Sequence, residues 1–125
     1  MKSFNSNKAP EAIGPYSQAI QTGDLVYLSG QLGVDRETGK LVDGVVNQAK
    51  QAFKNIEYVL AEADLILADI VKVTVFLADI NDFAAVNEVY ATQFSEPYPS
   101  RSAIAVKDLP MGGQVEIEII ASAAE

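Results

Sequence analysis

Gln114-Val115-Glu116-Ile117-Glu118-Ile119-Ile120-Ala121-Ser122-Ala123 is the stretch that decides how this chain folds. Apolar and polar residues alternate with the two-residue period of a strand. Val115, Ile117, Ile119, Ala121 and Ala123 therefore share one side, and Glu116 and Glu118 point away from it. Toward its end the strand is apolar on the second side too, where Ile120 lies with Ser122. Upstream, Ile70 to Leu77 holds Val71, Val73, Val75 and Phe76, the β-branched and aromatic content of a buried strand.

Two helices complete the framework. Val45, Ala49, Ala52, Phe53, Ile56, Val59, Leu60 and Ala63 recur three and four apart, which predicts an amphipathic helix over residues 44–63 with Lys50, Lys54 and Glu57 on its wet side. Asn81-Asp82 is expected to cap a second helix marked by Phe83, Val86, Val89, Tyr90 and Phe94, with Pro97 and Pro99 ending it. Residues 17–21 and 25–29 flank Thr22-Gly23-Asp24 and read as a hairpin. Residues 102–106 read as a strand and 109–113 as a loop. The order β-β-(β)-α-β-α-β-β gives an α+β fold, a single sheet with two helices on one face. No third helix remains for the other face, so an oligomer with sheets packed against one another is expected.

Composition narrows the function. The chain has 125 residues, 49% of them apolar and 21% charged, which suits one globular domain over 1–125. Residues 1–11 are polar and expected to be loosely held. With no His and no Cys, imidazole and thiolate metal sites, cysteine nucleophiles, serine–histidine machinery and disulfides all drop out. A net charge of -8 argues against nucleic acid as a partner. No apolar run reaches a membrane span, and Met1-Lys2-Ser3-Phe4-Asn5 is not the opening of a signal peptide. A cytoplasmic protein is expected. Thr38-Gly39-Lys40 belongs to a charged turn, because the upstream glycine and strand-to-helix context of a phosphate loop are missing.

The chemistry left is that of carboxylates, Tyr, Lys, Arg and backbone groups. Only two arginines occur among the nine basic residues. Arg36 lies in the charged turn and reads as solvated. Arg101 follows Pro97-Tyr98-Pro99-Ser100 and opens an apolar strand, where it is either a salt-bridged structural residue or a bidentate carboxylate clamp. Glu116 and Glu118 are either a solvated strand face or, for one of them, a group that handles a water or a proton in a cleft. Tyr16, after Gly14-Pro15, is a packed aromatic or a lid over a ligand, and Asn87 is a surface amide or a cleft-facing one.

Several blocks together carry a resemblance. Pro99-Ser100-Arg101-Ser102-Ala103-Ile104, running through Leu109-Pro110 to Val115-Glu116-Ile117, resembles the C-terminal signature of the RidA (YjgF-type) family of reactive-intermediate, enamine/imine deaminases. Ala12-Ile13-Gly14-Pro15-Tyr16-Ser17-Gln18-Ala19, Ser29-Gly30-Gln31 and Asp69-Ile70-Val71-Lys72-Val73-Thr74-Val75-Phe76 are similar to its other blocks, so the likeness covers about residues 9–122. It implies a chorismate-mutase-like fold with a mixed sheet, and a homotrimer whose sheets form a barrel-like core with clefts between subunits. It implies hydrolytic deamination of 2-imino and 2-enamino acids, such as those from 2-aminoacrylate and 2-aminocrotonate, to 2-keto acids and ammonia. The activity would be that of a 2-iminobutanoate/2-iminopropanoate deaminase, without cofactor or metal. Arg101 then corresponds to the residue that holds the substrate carboxylate and Glu116 to the acid at the reacting water, and Glu118 falls outside the site. Tyr16, Ser29, Gly30 and Asn87 correspond to other cleft residues.

Two departures stand out. Ala103 replaces a residue that is often Cys, and its backbone carbonyl is expected to make the contact. The stretch from Asn87 to Arg101 is shorter than in enterobacterial members. The rival reading is a non-catalytic trimeric sensor that binds 2-keto acids in the same cleft. An endoribonuclease fits badly, since the chain has neither a phosphate grip nor histidine.

Overall fold

The alternating stretch that ends the chain forms the centre of a sheet in the computed structural model, which describes residues 1–124. The elements are β1 (Lys2–Phe4), β2 (Ala19–Thr22), β3 (Leu25–Leu28), β4 (Gln31–Leu32), β5 (Val34–Asp35), β6 (Lys40–Leu41), α1 (Val45–Glu62), β7 (Ile70–Leu77), α2 (Phe83–Gln93), β8 (Ser100–Ala105) and β9 (Val115–Ser122). The main sheet runs β1-β2-β3-β9-β7-β8, with β4 also paired to β9. Among the described residues only β7 and β8 pair in parallel, so the sheet is mixed and β8 is an edge.

Directly paired residues share a face, which lets the register assign every side chain. Ile119 faces Val73, which faces Arg101; Ile117 faces Val75, which faces Ala103. That face is the dry one: Val115, Ile117, Ile119 and Ala121 join Phe53, Ile56, Val59 and Leu60 of α1 and Val86 and Val89 of α2 in one core. Each of these Val, Ile, Leu and Phe side chains is worth about 1.5–3 kcal/mol of burial, so the strand–helix contact contributes heavily to the fold's stability. On the other face Tyr27 lies opposite Ile120, and Glu116 lies opposite Phe76, itself opposite Ile104. Tyr27 and Ile104 are 43% and 48% exposed, and no helix covers them.

The predicted helices and long strands agree with the structure to within two residues at nearly every end, and four features differ. Residues 1–11, expected to be loosely held, are tied down. β1 pairs with β2, Phe4 and Ala9 are buried, and the buried Gln18 side chain accepts from the Ser6 amide and donates to the Pro10 carbonyl at 2.8 Å. Arg36 is not simply solvated, because its Nη1 donates to the Ala9 carbonyl at 2.7 Å. The charged turn at 35–40 is closed by the short β5–β6 ladder.

The fourth difference is at both ends of α2. Asp79 Oδ1, not Asn81 or Asp82, accepts the capping bond, from the Asn81 amide at 2.9 Å, and a single 3-10 turn leads into the helix. The helix stops at Gln93, ahead of the prolines, where Phe94 turns extended and packs edge-on to Phe53 and tilted against Tyr90. The partly buried Phe94 ring thus lies against the core just past the helix end.

Candidate functional site

Glu116 leaves β9 on the uncovered face and enters a cavity of about 490 Å3 whose walls include Tyr16, Gly30, Gln31, Leu32 and Met111. The carboxyl is half-buried, and burial pushes its pKa above the ordinary value, with the charge of Glu118 adding to the rise. Gly30 is there for space. A β-carbon on it would sit 2.8 Å from Glu116 Oε2 and 2.9 Å from its Cδ, closer than side chains pack. Ser29 supports the same corner: its hydroxyl donates to the Ser17 carbonyl at 2.7 Å and its amide to the Gln18 carbonyl at 2.9 Å. Those bonds fasten the segment bearing Tyr16 to the one bearing Gly30. Tyr16 is 53% exposed, so it is a wall of the cavity and not a packed aromatic. It follows Gly14, whose φ of 126° only glycine adopts without strain.

Arg101 stands elsewhere. It lies on the helix-side face of edge strand β8, in a second concavity of about 410 Å3 with Asn87, Tyr90, Tyr98 and Pro99. Its Nη1 donates to Asn87 Oδ1 at 2.6 Å. Its guanidinium carbon lies 4.5 Å from the centre of the Tyr90 ring and 5.4 Å from that of Phe83. Its partners among the described residues are thus an amide and two rings, and not a carboxylate. No salt bridge to Arg101 is present among the described residues. The side chain remains exposed, and a guanidinium bonded through one nitrogen still has donors to offer an anion. Ala103, two residues along the same face, is partly buried against the core.

The structure thus gathers Tyr16, Gly30 and Glu116, with Ser29 behind them, and separately gathers Asn87 and Arg101, with Ala103 on the same face. It does not bring the two groups together within one chain, because Arg101 and Glu116 leave the sheet on opposite faces. Tyr90 and Met111 were not foreseen as site residues. Tyr90 reads as one more apolar mark in a helical stripe, and only the fold shows the guanidinium over it. Met111 carries no signal in its spacing at all. Among the described residues no cluster of His, Cys, Asp and Glu could hold a metal ion, and no helix is long and apolar enough to cross a membrane.

The chain and its fold are similar to those of known proteins. A family model described as Endoribonuclease L-PSP matches residues 6–123. A protein of Capra hircus named 2-iminobutanoate/2-iminopropanoate deaminase is 55% identical over 119 residues, covering 94% of this chain and 87% of its own. The crystal structure of RidA from an Antarctic Psychrobacter superposes with a TM-score of 0.94 at 48% identity, covering 98% of this chain and 99% of that one. Escherichia coli TdcF with bound serine superposes with a TM-score of 0.94 at 41% identity, covering 99% of this chain and all of the other.

Proposed function

Because this chain belongs to the RidA (YjgF) family that the L-PSP model describes, we propose that it hydrolyses reactive 2-imino acids, and the 2-enamino acids in equilibrium with them, to 2-keto acids and ammonia. The observation that carries the reading is the division of labour across the sheet. A half-buried carboxylate in an apolar-walled cavity on one face is suited to moving protons. A caged, solvent-reachable guanidinium on the other is suited to holding a carboxylate. Two chains must meet for both to reach one substrate, and a trimer with sheets facing inward supplies three such meetings. The uncovered apolar residues Tyr27, Ile120 and Ile104 suit that contact. The bound serine of the TdcF structure is itself a small carboxylate-bearing ligand.

In this reading the free donors of Arg101 take the substrate carboxylate in two parallel hydrogen bonds and fix the C=N carbon beside a water. Glu116 removes a proton from that water as its oxygen bonds to the carbon and the C=N π pair passes to nitrogen. Returning that proton to the nitrogen gives a neutral carbinolamine and restores the Glu116 carboxylate. Glu116 then takes the carbinolamine's hydroxyl proton and passes it to the nitrogen, so that the C–N bond breaks as the carbonyl forms and ammonia departs. Water and imine are the only reactants, so no cofactor enters the balance. The work would be done in the cytoplasm, where such imines arise and would otherwise attack other enzymes.

The rival, a carboxylate receptor without chemistry, is disfavoured by Glu116. An anionic wall weakens an anionic ligand, and a desolvated carboxylate is costly unless it is used.

The test uses both halves. Imine is generated by a serine or threonine dehydratase in the presence of semicarbazide, and suppressed semicarbazone formation reports hydrolysis. Arg101→Ala and Glu116→Gln should each be inactive as pure proteins. Refolded together they should recover roughly a quarter of wild-type activity, the share of inter-subunit sites that inherit both intact halves. No recovery from well-mixed trimers would show that the site is not shared between chains.

A further inference from the structure

Arg101 is an exposed arginine on an edge strand, and such a side chain ordinarily samples many rotamers. Ordering it on ligand binding then costs affinity. Here it does not sweep freely. The Tyr90 ring lies under the guanidinium at 4.5 Å, Phe83 flanks it at 5.4 Å, and Asn87 takes Nη1. The Tyr90 ring is itself rigid, since it is 8% exposed, tilted on Phe94 at 4.8 Å and edge-on to Phe53 at 6.1 Å. Its hydroxyl is buried and has no hydrogen-bond partner among the described residues. A polar atom left dry and unpaired in this way costs stability, and a phenylalanine would avoid the cost. What this position offers the site is therefore the face of a ring.

We infer that Tyr90 is a positioning residue, an aromatic shelf that holds the Arg101 fork ready for the substrate's carboxylate. The inference rests on the clamp role proposed above for Arg101. The shelf acts before chemistry begins, so its contribution falls on KM and on ligand affinity and leaves kcat almost unchanged. A guanidinium over an aromatic face is stabilised electrostatically by the ring, and the ring also limits the rotamers Arg101 must lose. Losing both effects should weaken carboxylate binding about three- to thirty-fold.

Calorimetric titration with 2-oxobutanoate on the assembled protein tests this. Tyr90→Leu should bind weaker by that factor, Tyr90→Phe should recover the affinity, and Tyr90→Leu should add no further loss to Arg101→Ala. Wild-type affinity in a folded Tyr90→Leu protein overturns the inference. So does an equal added loss in the Arg101→Ala background, which would mean general damage to the fold. A Tyr90→Phe protein as weak as Tyr90→Leu would place the effect on the hydroxyl and not the ring. Tyr90 is buried enough that the leucine variant could fail to fold, so a second measurement uses wild type alone. Ring current should move the guanidinium proton resonances of Arg101 upfield of those of Arg36, and coincident resonances would sink the shelf. If Arg101→Ala itself binds 2-oxobutanoate normally, it is the clamp role that fails, whatever the resonances show.

Discussion

The two halves of the site are built by opposite means. The Arg101 half stands on an edge strand, is exposed, and owes its geometry to side chains: an amide and two rings brought up by α2. The Glu116 half stands on the central strand, is half-buried, and owes its geometry to backbone: a glycine without room for a β-carbon, and a serine that pins two segments together. A group held by neighbouring side chains stays in water and keeps its charge, as a binding group needs. A group held by close backbone approach is dried, and its proton affinity rises, as a proton carrier needs.

Substituting one residue in each half should break this contrast most severely. Glu116→Gln keeps size and hydrogen bonding but removes the proton acceptor, and should lower kcat about 10²- to 10⁴-fold. Its affinity for 2-oxobutanoate should hold or improve, because an anion no longer meets an anion. Arg101→Ala should behave in the opposite sense, binding 2-oxobutanoate far more weakly though still measurably at high ligand concentration, and Arg101→Lys should recover little since the fork is gone. Equal hydrolysis rates in wild type and Glu116→Gln, measured by the semicarbazide competition, would remove the mechanism.

Gly30→Ala probes whether the second half depends on space. The added methyl would have to displace the Glu116 carboxyl, by several tenths of an ångström or more. Misplacement on the ångström scale costs on the order of 10²-fold in rate. The loss should appear in kcat, with 2-oxobutanoate binding nearly intact and thermal stability little changed. A Gly30→Ala protein of full activity would show that Glu116 can work from elsewhere.

Much of this was legible in the sequence where the signal is local. The alternation of β9, the β-branched run of β7 and the helical period of α1 each need only a window of neighbours, and each appears as read. β1 was not legible, because a three-residue strand exists only by virtue of the partner it finds in β2. The early stop of α2 comes with Phe94 meeting Phe53, a contact between distant segments that no local window shows. The same limit applies to the site. Alternation alone puts Glu116 and Glu118 away from the core, and the motif blocks single out Arg101. That Arg101 and Glu116 leave by opposite faces follows from the β7–β8 and β7–β9 registers, which no window of sequence contains.

The smallest effect tests why the central half titrates as it does. Glu116 is raised first by burial and then by the charge of Glu118, which lies two residues along the same face and is exposed. Because Glu116 must be ionised to accept a proton, kcat/KM should fall as pH drops through its raised pKa. Glu118→Gln removes the like charge but leaves the cavity as dry as before. Ionisation of Glu116 then becomes easier, its pKa falls, and the acid limb of the pH profile slides to lower pH while the plateau at neutral pH stays where it was. Burial persists in the variant, so the limb should still lie above the range of an ordinary glutamate. Charges contributed by a neighbouring chain are common to both proteins and drop out of the comparison. Added salt provides the cross-check, since it screens the charge of exposed Glu118 far better than it relieves the burial of Glu116. It should move the wild-type limb downward and leave that of Glu118→Gln nearly still. A limb that moves upward in Glu118→Gln, or equal salt shifts in the two proteins, would mean that Glu118 does not act on Glu116 through its charge.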